Sequence, residues 1–385
     1  MKADRLTRAF CGISLVLAIF SLGRQDAEAG QFKHVVYYPA GQAPNQVVTA
    51  QFTRAGNLDL AVADYLTNQI SVLLGNGDGT FQKAIKFGVA APIALAVGDL
   101  NGDGNADLIV VESGGTGAGA LAIFLGEGNG HFRLKATYKL GVEAGFVAVA
   151  DYNNDGHLDV ATTDAGNGME GVLRVFFGTG EGTLLKPAIY KIANTPGSLA
   201  AGDLNGEHHA DLAVAQFATG SIAVLLNDGT GHFKKPTTYN AGGGEVVDVK
   251  IADLRNDGRN DLVIANLSAG MVVLLNKGNG AFGRATVYPP CAGSPPCEGP
   301  QAVTVADFNL DGHLDAAVAT NIDDSYFYYG KGDGTFGLAI LIKDTIEFKG
   351  GYSIAAGNFI TGNKAPDLAI PIEEYGKVGI LLNTQ

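Results

Sequence analysis

The chain has no tryptophan, only three cysteines and three methionines among its 385 residues, and 17% charged residues. Each shortage excludes something. Without tryptophan the commonest platform for stacking a sugar ring is missing, although tyrosine can serve in its place. Three cysteines are too few for a disulfide-dense scaffold or a cysteine-rich zinc module. Past residue 22 there is no apolar run long enough to span a bilayer. Stretches with a helical hydrophobic period are absent, which points to an all-β chain. Neither a Gly-x-Ser-x-Gly elbow nor a His-Glu-x-x-His pair occurs, so two common hydrolytic devices are missing. Basic residues are outnumbered 26 to 39, a formal charge of −13 that argues against nucleic acid as a partner.

The first 29 residues read as a secretory signal. Lys2, Arg5 and Arg8 give a basic start, residues 9–22 an apolar core, and Ala27-Glu28-Ala29 a small-x-small cleavage site. The alternative is a retained N-terminal anchor. Cys11 lies at the start of the apolar core, which does not suit lipoprotein cleavage there. The mature chain, residues 30–385, is expected to be secreted or periplasmic, monomeric and without a membrane span. Loss of residues 1–29 removes four basic and three acidic side chains and leaves −14. Export also leaves one cysteine pair, Cys291 and Cys297, closing a proline-containing loop. A disulfide is expected there; half of a metal site is the alternative, but no histidine or further cysteine stands nearby in sequence.

What the chain has in abundance is one recurring stretch. Residues 99–107 read DLNGDGNAD, with acidic or amide side chains at positions 1, 3, 5 and 9 and glycine at position 6. Alternating oxygen donors closed by a sharp glycine turn suit a hard cation such as calcium. Position 12 is Val110 where an EF-hand carries glutamate, and strand-like residues flank the stretch. It therefore reads as a loop in a β-hairpin. Residues 151–159 (DYNNDGHLD) and 307–315 (DFNLDGHLD) repeat it intact. Residues 203–211 (DLNGEHHAD) and 253–261 (DLRNDGRND) repeat it with damage, and 51–59 and 358–367 are eroded copies. Glu207 lengthens a ligand and His208 replaces the turn glycine. Arg255 puts a guanidinium where a ligand belongs, and can itself serve as the local cation.

Around this loop each unit has the same order. A short apolar strand such as 93–97 or 302–305 precedes it, and a buried-looking strand such as 108–111 or 212–215 follows. A third strand such as 70–74, 121–125 or 222–226 ends in a glycine turn like GNGDGTF at 75–81. An aromatic then leads, six positions on, to a second large residue: Phe32/Tyr38, Phe81/Phe87, Phe132/Tyr138, Leu184/Tyr190, Phe233/Tyr239, Phe282/Tyr288, Phe336/Ile342. An even spacing puts both on one strand face, so these tyrosines are read as packing residues. Four short strands in about 50 residues describe a propeller blade. The loops start at 51, 99, 151, 203, 253, 307 and 358, which predicts seven blades. The last unit lacks its fourth strand. From Asp367 to Gln385 is 18 residues, and Phe32, third after the cleavage point, continues the spacing at 21. The mature N-terminus is thus expected to complete the last blade and remove the open sheet edges.

These motifs resemble the FG-GAP/VCBS repeats of bacterial secreted proteins and of the integrin alpha-subunit propeller, over nearly the whole mature chain. The resemblance implies a seven-bladed all-β propeller binding calcium through side chains at positions 1, 3, 5 and 9 and the carbonyl of position 7. The implied ligands are Asp99, Asn101, Asp103, Asn105 and Asp107; Asp151, Asn153, Asp155, His157 and Asp159; and Asp307, Asn309, Asp311, His313 and Asp315. Asn105, His157 and His313 contribute backbone only, so the histidines are not read as catalytic or zinc ligands. The metal's expected role is structural.

Strand order puts the metal loops and glycine turns on one rim, and the loops between second and third strands, with the blade-to-blade connections, on the other. The second rim varies more, as recognition surfaces on rigid scaffolds do. Its candidates are Asp64, Tyr65, Glu112, Asp164, Asn167, Glu170, Gln216, Phe217, Asp323, Asp324, Tyr326, Glu373, Glu374 and Tyr375, with the 291–297 loop beside them. Three functions follow as expectations. The first is a binding or adhesion module for a protein or cell-surface polymer. The second is a carbohydrate-binding lectin, since some fungal lectins share this resemblance. The third is a polysaccharide-active enzyme using paired acids such as Asp323-Asp324 or Glu373-Glu374.

Overall fold

The computed structural model describes residues 32–33, 35–114, 117–164, 170–192, 195–289, 299–320, 325–342 and 351–385. The expected signal segment and both cysteines of the expected disulfide lie outside these residues, as do Asn167, Asp323 and Asp324.

Short strands rich in Val, Ile, Leu and Ala form seven four-stranded antiparallel sheets, arranged as the blades of a propeller. The innermost strands are Pro44–Ala50, Pro92–Gly98, Val147–Ala150, Pro196–Gly202, Val246–Ala252, Ala302–Ala306 and Ala355–Gly357. Each pairs with a second strand that starts on an aspartate: Asp59–Asp64, Asp107–Glu112, Asp159–Asp164, Asp211–Gln216, Asp261–Asn266, Asp315–Ala319 and Asp367–Ile372. The second strands read as continuous buried runs, because each of their faces is covered by a different neighbouring blade.

The ring closes as the spacing requires. Val36–Pro39 pairs antiparallel with the third strand of the last blade, Lys377–Leu381, with Val36 opposite Ile380 and Pro39 opposite Lys377. Phe32 bridges Asn383, and Lys33 N donates to Leu382 O at 2.8 Å. Among the described residues the apolar core divides into seven clusters, each between adjacent blades. The cluster joining the last blade to the first combines Val378 and Ile380 with Val47, Leu60 and Val62. Hydrophobic contact therefore runs unbroken around the ring.

The aromatic pairs are the staples of these interfaces. Tyr38 meets Phe81 edge-on at 5.4 Å, Tyr190 meets Phe233 at 5.6 Å, Tyr239 meets Phe282 at 5.2 Å and Tyr288 meets Phe336 at 5.6 Å. The hydroxyls reach the next blade's backbone: Leu184 N donates to the Tyr138 hydroxyl at 2.6 Å, and the Tyr239 hydroxyl donates to Gly280 O at 3.0 Å. An apolar ring and a polar tip are both used at the same seam.

Candidate functional site

Two regions bear on function: the repeated loops on one rim, and a cavity on the axis at the other. In the loops, the closing aspartate, at position 9 or, in the longer copy at 358–367, at position 10, does the same work in all seven blades. Asp59, Asp107, Asp159, Asp211, Asp261, Asp315 and Asp367 are completely buried. One carboxylate oxygen accepts the position-2 N–H, and the other accepts an N–H at the end of the third strand or just past it. The pairs are Phe52 and Gly75 on Asp59, both 2.8 Å, Leu100 (2.9 Å) and Gly126 (2.8 Å) on Asp107, and Phe359 (2.8 Å) and Asn383 (2.7 Å) on Asp367. Asp159, Asp211 and Asp315 repeat the pattern. Each thus fastens its own turn to the third strand, whether or not the rest of the loop is intact.

The other donors fold around the turn. Asp99 Oδ2 accepts from Gly104 N at 2.8 Å and Oδ1 from Gly102 N at 2.8 Å, while Asp103 Oδ1 accepts from Asn105 N at 2.8 Å. The loops at 151–159 and 307–315 repeat the bonds from positions 6 and 7. The turn needs left-handed backbone at positions 4 and 6. Gly104 provides it with φ +82°, whereas the damaged loop forces His208 to φ +62°. In the damaged loop His208 N still donates to Asp203 Oδ2 at 2.9 Å, so the turn survives the loss of its glycine.

Charge distinguishes the loops. Burial pushes the Asp107 carboxyl up to about 6 against its two backbone hydrogen bonds, and Asp103 and Asp99 add to the rise. Burial likewise pushes Asp159 to about 6, with Asp155 and Asp151 adding to it, and Asp315 to about 6, with Asp311 adding to it. In the loop at 253–261 a cation is built in. Arg255 Nη2 lies 2.8 Å from Asp261 Oδ1, its Nε is 3.2 Å from Oδ2, its Nη1 is 3.2 Å from Asp257, and Nη2 also donates to Asn276 O at 2.7 Å. The guanidinium marks where this loop takes positive charge, and oxygen-only donor sets at 99–107, 151–159 and 307–315 fit a hard cation in that role. Among the described residues, however, no three acidic, histidine or cysteine side chains gather into a metal cluster. The loop acids lie on the loop's own N–H groups.

The opposite rim differs from its expected reading. Asp64, Asp164 and Gln216 are buried, which corrects their assignment as surface recognition residues. Each ends a second strand and folds back: Ser71 Oγ donates to Asp64 at 2.5 Å, Arg174 pairs with Asp164 at 2.6 Å, and Ser221 Oγ donates to Gln216 at 2.8 Å. Glu112 is half-buried, and burial raises its carboxyl. Tyr326 also needs correction: it begins the strand Tyr326–Tyr328 and is 7% exposed. Tyr65 is half-buried in its turn, Glu170 pairs with Lys191 at 2.7 Å, and Glu373, Glu374 and Tyr375 form an exposed single-turn 3-10 helix. These residues are spread around the rim and do not meet.

What does meet lies on the axis. A cavity of about 420 Å³ opens where the innermost strands begin, and every blade contributes to its wall. Asn45, Gln46, Ser198, Asp248, Lys250, Gln301 and Ser353 line it with polar groups, and Phe146, Phe217 and Tyr352 with rings. Of these, sequence reasoning singled out Phe217 alone. Lys250 carried a usable signal: three residues before each loop, the other copies have Val48, Ala96, Ala148, Ala200, Thr304 and Ala355.

The FG-GAP-like repeat family matches the chain at residues 52–110, 99–162, 151–214, 203–264 and 253–318. The chain belongs to the FG-GAP repeat family. No curated protein matches this FG-GAP chain. Among solved structures, it resembles a lectin from Agrocybe aegerita described by its recognition of non-reducing terminal N-acetylglucosamine. The identity is 19%, the match covers 88% of this chain and 86% of the lectin, and the TM-score is 0.55. It also resembles BBS1N solved in complex with ARL6DN, at 13% identity over 92% of this chain and 98% of that one, with a TM-score of 0.61. A protein of unknown function from Desulfotomaculum acetoxidans matches at 13% identity over 85% and 99%, with a TM-score of 0.58. At such identities the likeness is one of fold.

Proposed function

We propose that this FG-GAP protein is an exported, calcium-stabilised propeller acting as a binding or adhesion module for a protein or a cell-surface polymer. The observation that carries this reading is the axial cavity, a preformed concave site to which all seven blades contribute. A closed ring holds such a wall rigid, so little ordering entropy is lost on binding. The family is typically non-catalytic, and the exposed Glu373–Glu374 pair belongs to a surface turn away from that cavity.

Calcium in this reading is structural. The side chains of Asp99, Asn101, Asp103 and Asp107, with the carbonyl of Asn105, would hold one ion, and the corresponding residues of 151–159 and 307–315 would hold two more. When bound, the ion supplies compensating positive charge to a hard-oxygen donor set. Export rests on the basic start, apolar core and cleavage site of residues 1–29. No helix among the described residues is long and apolar enough to cross a membrane.

A narrower second reading, a carbohydrate-binding lectin, is favoured by the mixture of amides and exposed ring at the cavity, and by the fold shared with a sugar-recognising lectin. The test is to present the mature protein, in calcium and in chelator, to arrays of glycans and polysaccharides and to envelope proteins in a pull-down. Saturable binding to either class is expected. Silence on both would sink the proposal.

A further inference from the structure

One register position of the innermost strands accounts for much of the cavity's polarity. It carries Gln46, Ser198, Asp248 and Ser353 in four blades and Ala94, Phe146 and Ala302 in the others. The four polar side chains tie each blade to the next. Leu95 N donates to Gln46 Oε1 at 2.5 Å, Val249 N to Ser198 Oγ at 3.0 Å, Val303 N to Asp248 Oδ2 at 3.1 Å and Val47 N to Ser353 Oγ at 3.4 Å. Blade-to-blade closure explains these groups without any ligand.

Lys250 is not explained that way. Burying its stem on the inner wall, where other copies carry Val, Ala or Thr, costs rotamer freedom and hydration. Its Nζ lies 2.8 Å from both oxygens of Asp248. That carboxylate already accepts from Ser198 Oγ at 2.6 Å, from Val249 N at 2.9 Å and from Val303 N at 3.1 Å. Lys250 supplies the counter-charge to this buried carboxylate, and Asp248 in turn fixes the ammonium at the cavity wall. An ammonium has three donors, and the Lys250 side chain is 40% exposed.

The surroundings select a ligand class. Asp248 and Lys250 cancel, so their pair presents no excess charge, and Glu143 at the mouth disfavours anions. Asn45 and Gln301 place amides on the wall, which can both donate and accept. Tyr352 is 40% exposed beside them. Amides, one fixed ammonium and a ring face match a neutral molecule with many hydroxyls and an apolar side. A volume of about 420 Å³ admits a chain end and not a folded segment.

We propose that the axial cavity is a saccharide site that takes the neutral terminal sugar of a glycan. Lys250, Asn45 and Gln301 hydrogen-bond its hydroxyls, Tyr352 covers its ring, and Asp248 is the positioning residue that aims Lys250. The inference rests on the binding-module reading and fixes the ligand class and the place. The test uses calorimetric titration of the full mature chain with glucose, galactose, fucose, N-acetylglucosamine and glucuronate and their disaccharides. Sugars that bind are then titrated against three variants. Lys250→Thr introduces the residue that the next blade carries at this position, Tyr352→Ala removes the exposed ring from the cavity wall, and Tyr375→Ala changes the same rim outside the cavity. Loss of a charge-assisted hydrogen bond predicts ~10-fold or greater weakening for Lys250→Thr. Tyr352→Ala should weaken binding similarly, Tyr375→Ala should leave it unchanged, and glucuronate should bind more weakly than glucose. A sugar that binds all three variants equally overturns the axial site and leaves the module reading standing. Capture of a protein without any sugar binding overturns the saccharide class. If Lys250→Thr fails to fold, Tyr352→Ala decides the matter alone.

Discussion

Two neighbouring loops, 253–261 and 307–315, share one backbone and differ in how they meet their charge. In both, the position-6 glycine N–H donates to the first aspartate, at 2.7 Å from Gly258 and 2.9 Å from Gly312. In both, the position-9 aspartate accepts an N–H from beyond the third strand. In the first loop Arg255 brings a guanidinium onto Asp257 and Asp261. In the second, Asn309 stands at that place, and burial with the added repulsion of Asp311 raises Asp315 to about 6. The turn is therefore fastened by the closing aspartate, whose clasp persists even in the eroded copies, and the cation answers a charge problem added to it. The eroded loops agree: Asp59 and Asp367 keep their clasp where most of the other acids are gone.

If the clasp and the cation are separable, the largest effect belongs to the clasp. Asp59→Ala, in a loop where Gln51, Thr53 and Ala55 replace the other metal donors, should destabilise by about 2–6 kcal/mol, because two buried N–H donors lose their acceptor at about 1–3 kcal/mol each. Urea unfolding measures this. A loss below about 1 kcal/mol would mean that the loops stand without it. Next comes an exchange of cations. Arg255→Asn completes the D-x-N-x-D-G-x-x-D pattern at 253–261. In chelator it should cost about 3–5 kcal/mol, since Asp261 is left buried without its partner. In calcium most of that should return, with one more ion bound per chain by calorimetry or mass spectrometry. An unchanged ion count would break the equivalence of guanidinium and metal.

How much of this could be read from the sequence depends on how local each feature is. Seven copies of one loop, with even aromatic spacing and a missing last strand, made the blades and their closure legible, because each signal lies within about 50 residues. The loop pattern marks Asp107, Asp159 and Asp315 as oxygen donors, and it does not show that each also accepts two backbone N–H groups. The hint was that Asp59 and Asp367 outlast the rest of their loops. Asp64, Asp164 and Gln216 looked like rim residues because a polar group at a strand end reads as exposed; only the fold shows them turned back onto Ser71, Arg174 and Ser221. The axial cavity was illegible for a different reason. Its wall gathers residues from Asn45 to Ile354, and no sequence window spans them.

The pH dependence should sharpen the same contrast at smaller amplitude. Asp107, Asp159 and Asp315 have folded-state values of about 6, above the unfolded 3.8. Between those values the folded chain binds more protons than the unfolded one, so stability falls as pH rises. In chelator the melting temperature should therefore drop from pH 5 to pH 7, by a few degrees or less. Calcium should restore it at pH 7 and do little at pH 5, where the carboxyls are largely protonated. A melting curve with no calcium effect at either pH would remove the charge argument while leaving the clasp.

The smallest effect lies at the seams between blades, away from both loops and cation. The Tyr239 hydroxyl donates to Gly280 O at 3.0 Å, while its ring packs on Phe282 at 5.2 Å. Tyr239→Phe keeps the ring and removes only the hydrogen bond, so it should cost about 0.5–1.5 kcal/mol. Because the seam is made by burial and not by charge, that cost should be the same in calcium and in chelator. A metal-dependent cost would mean that loop and seam move together, and that the clasp does not insulate the core from the ions on its rim.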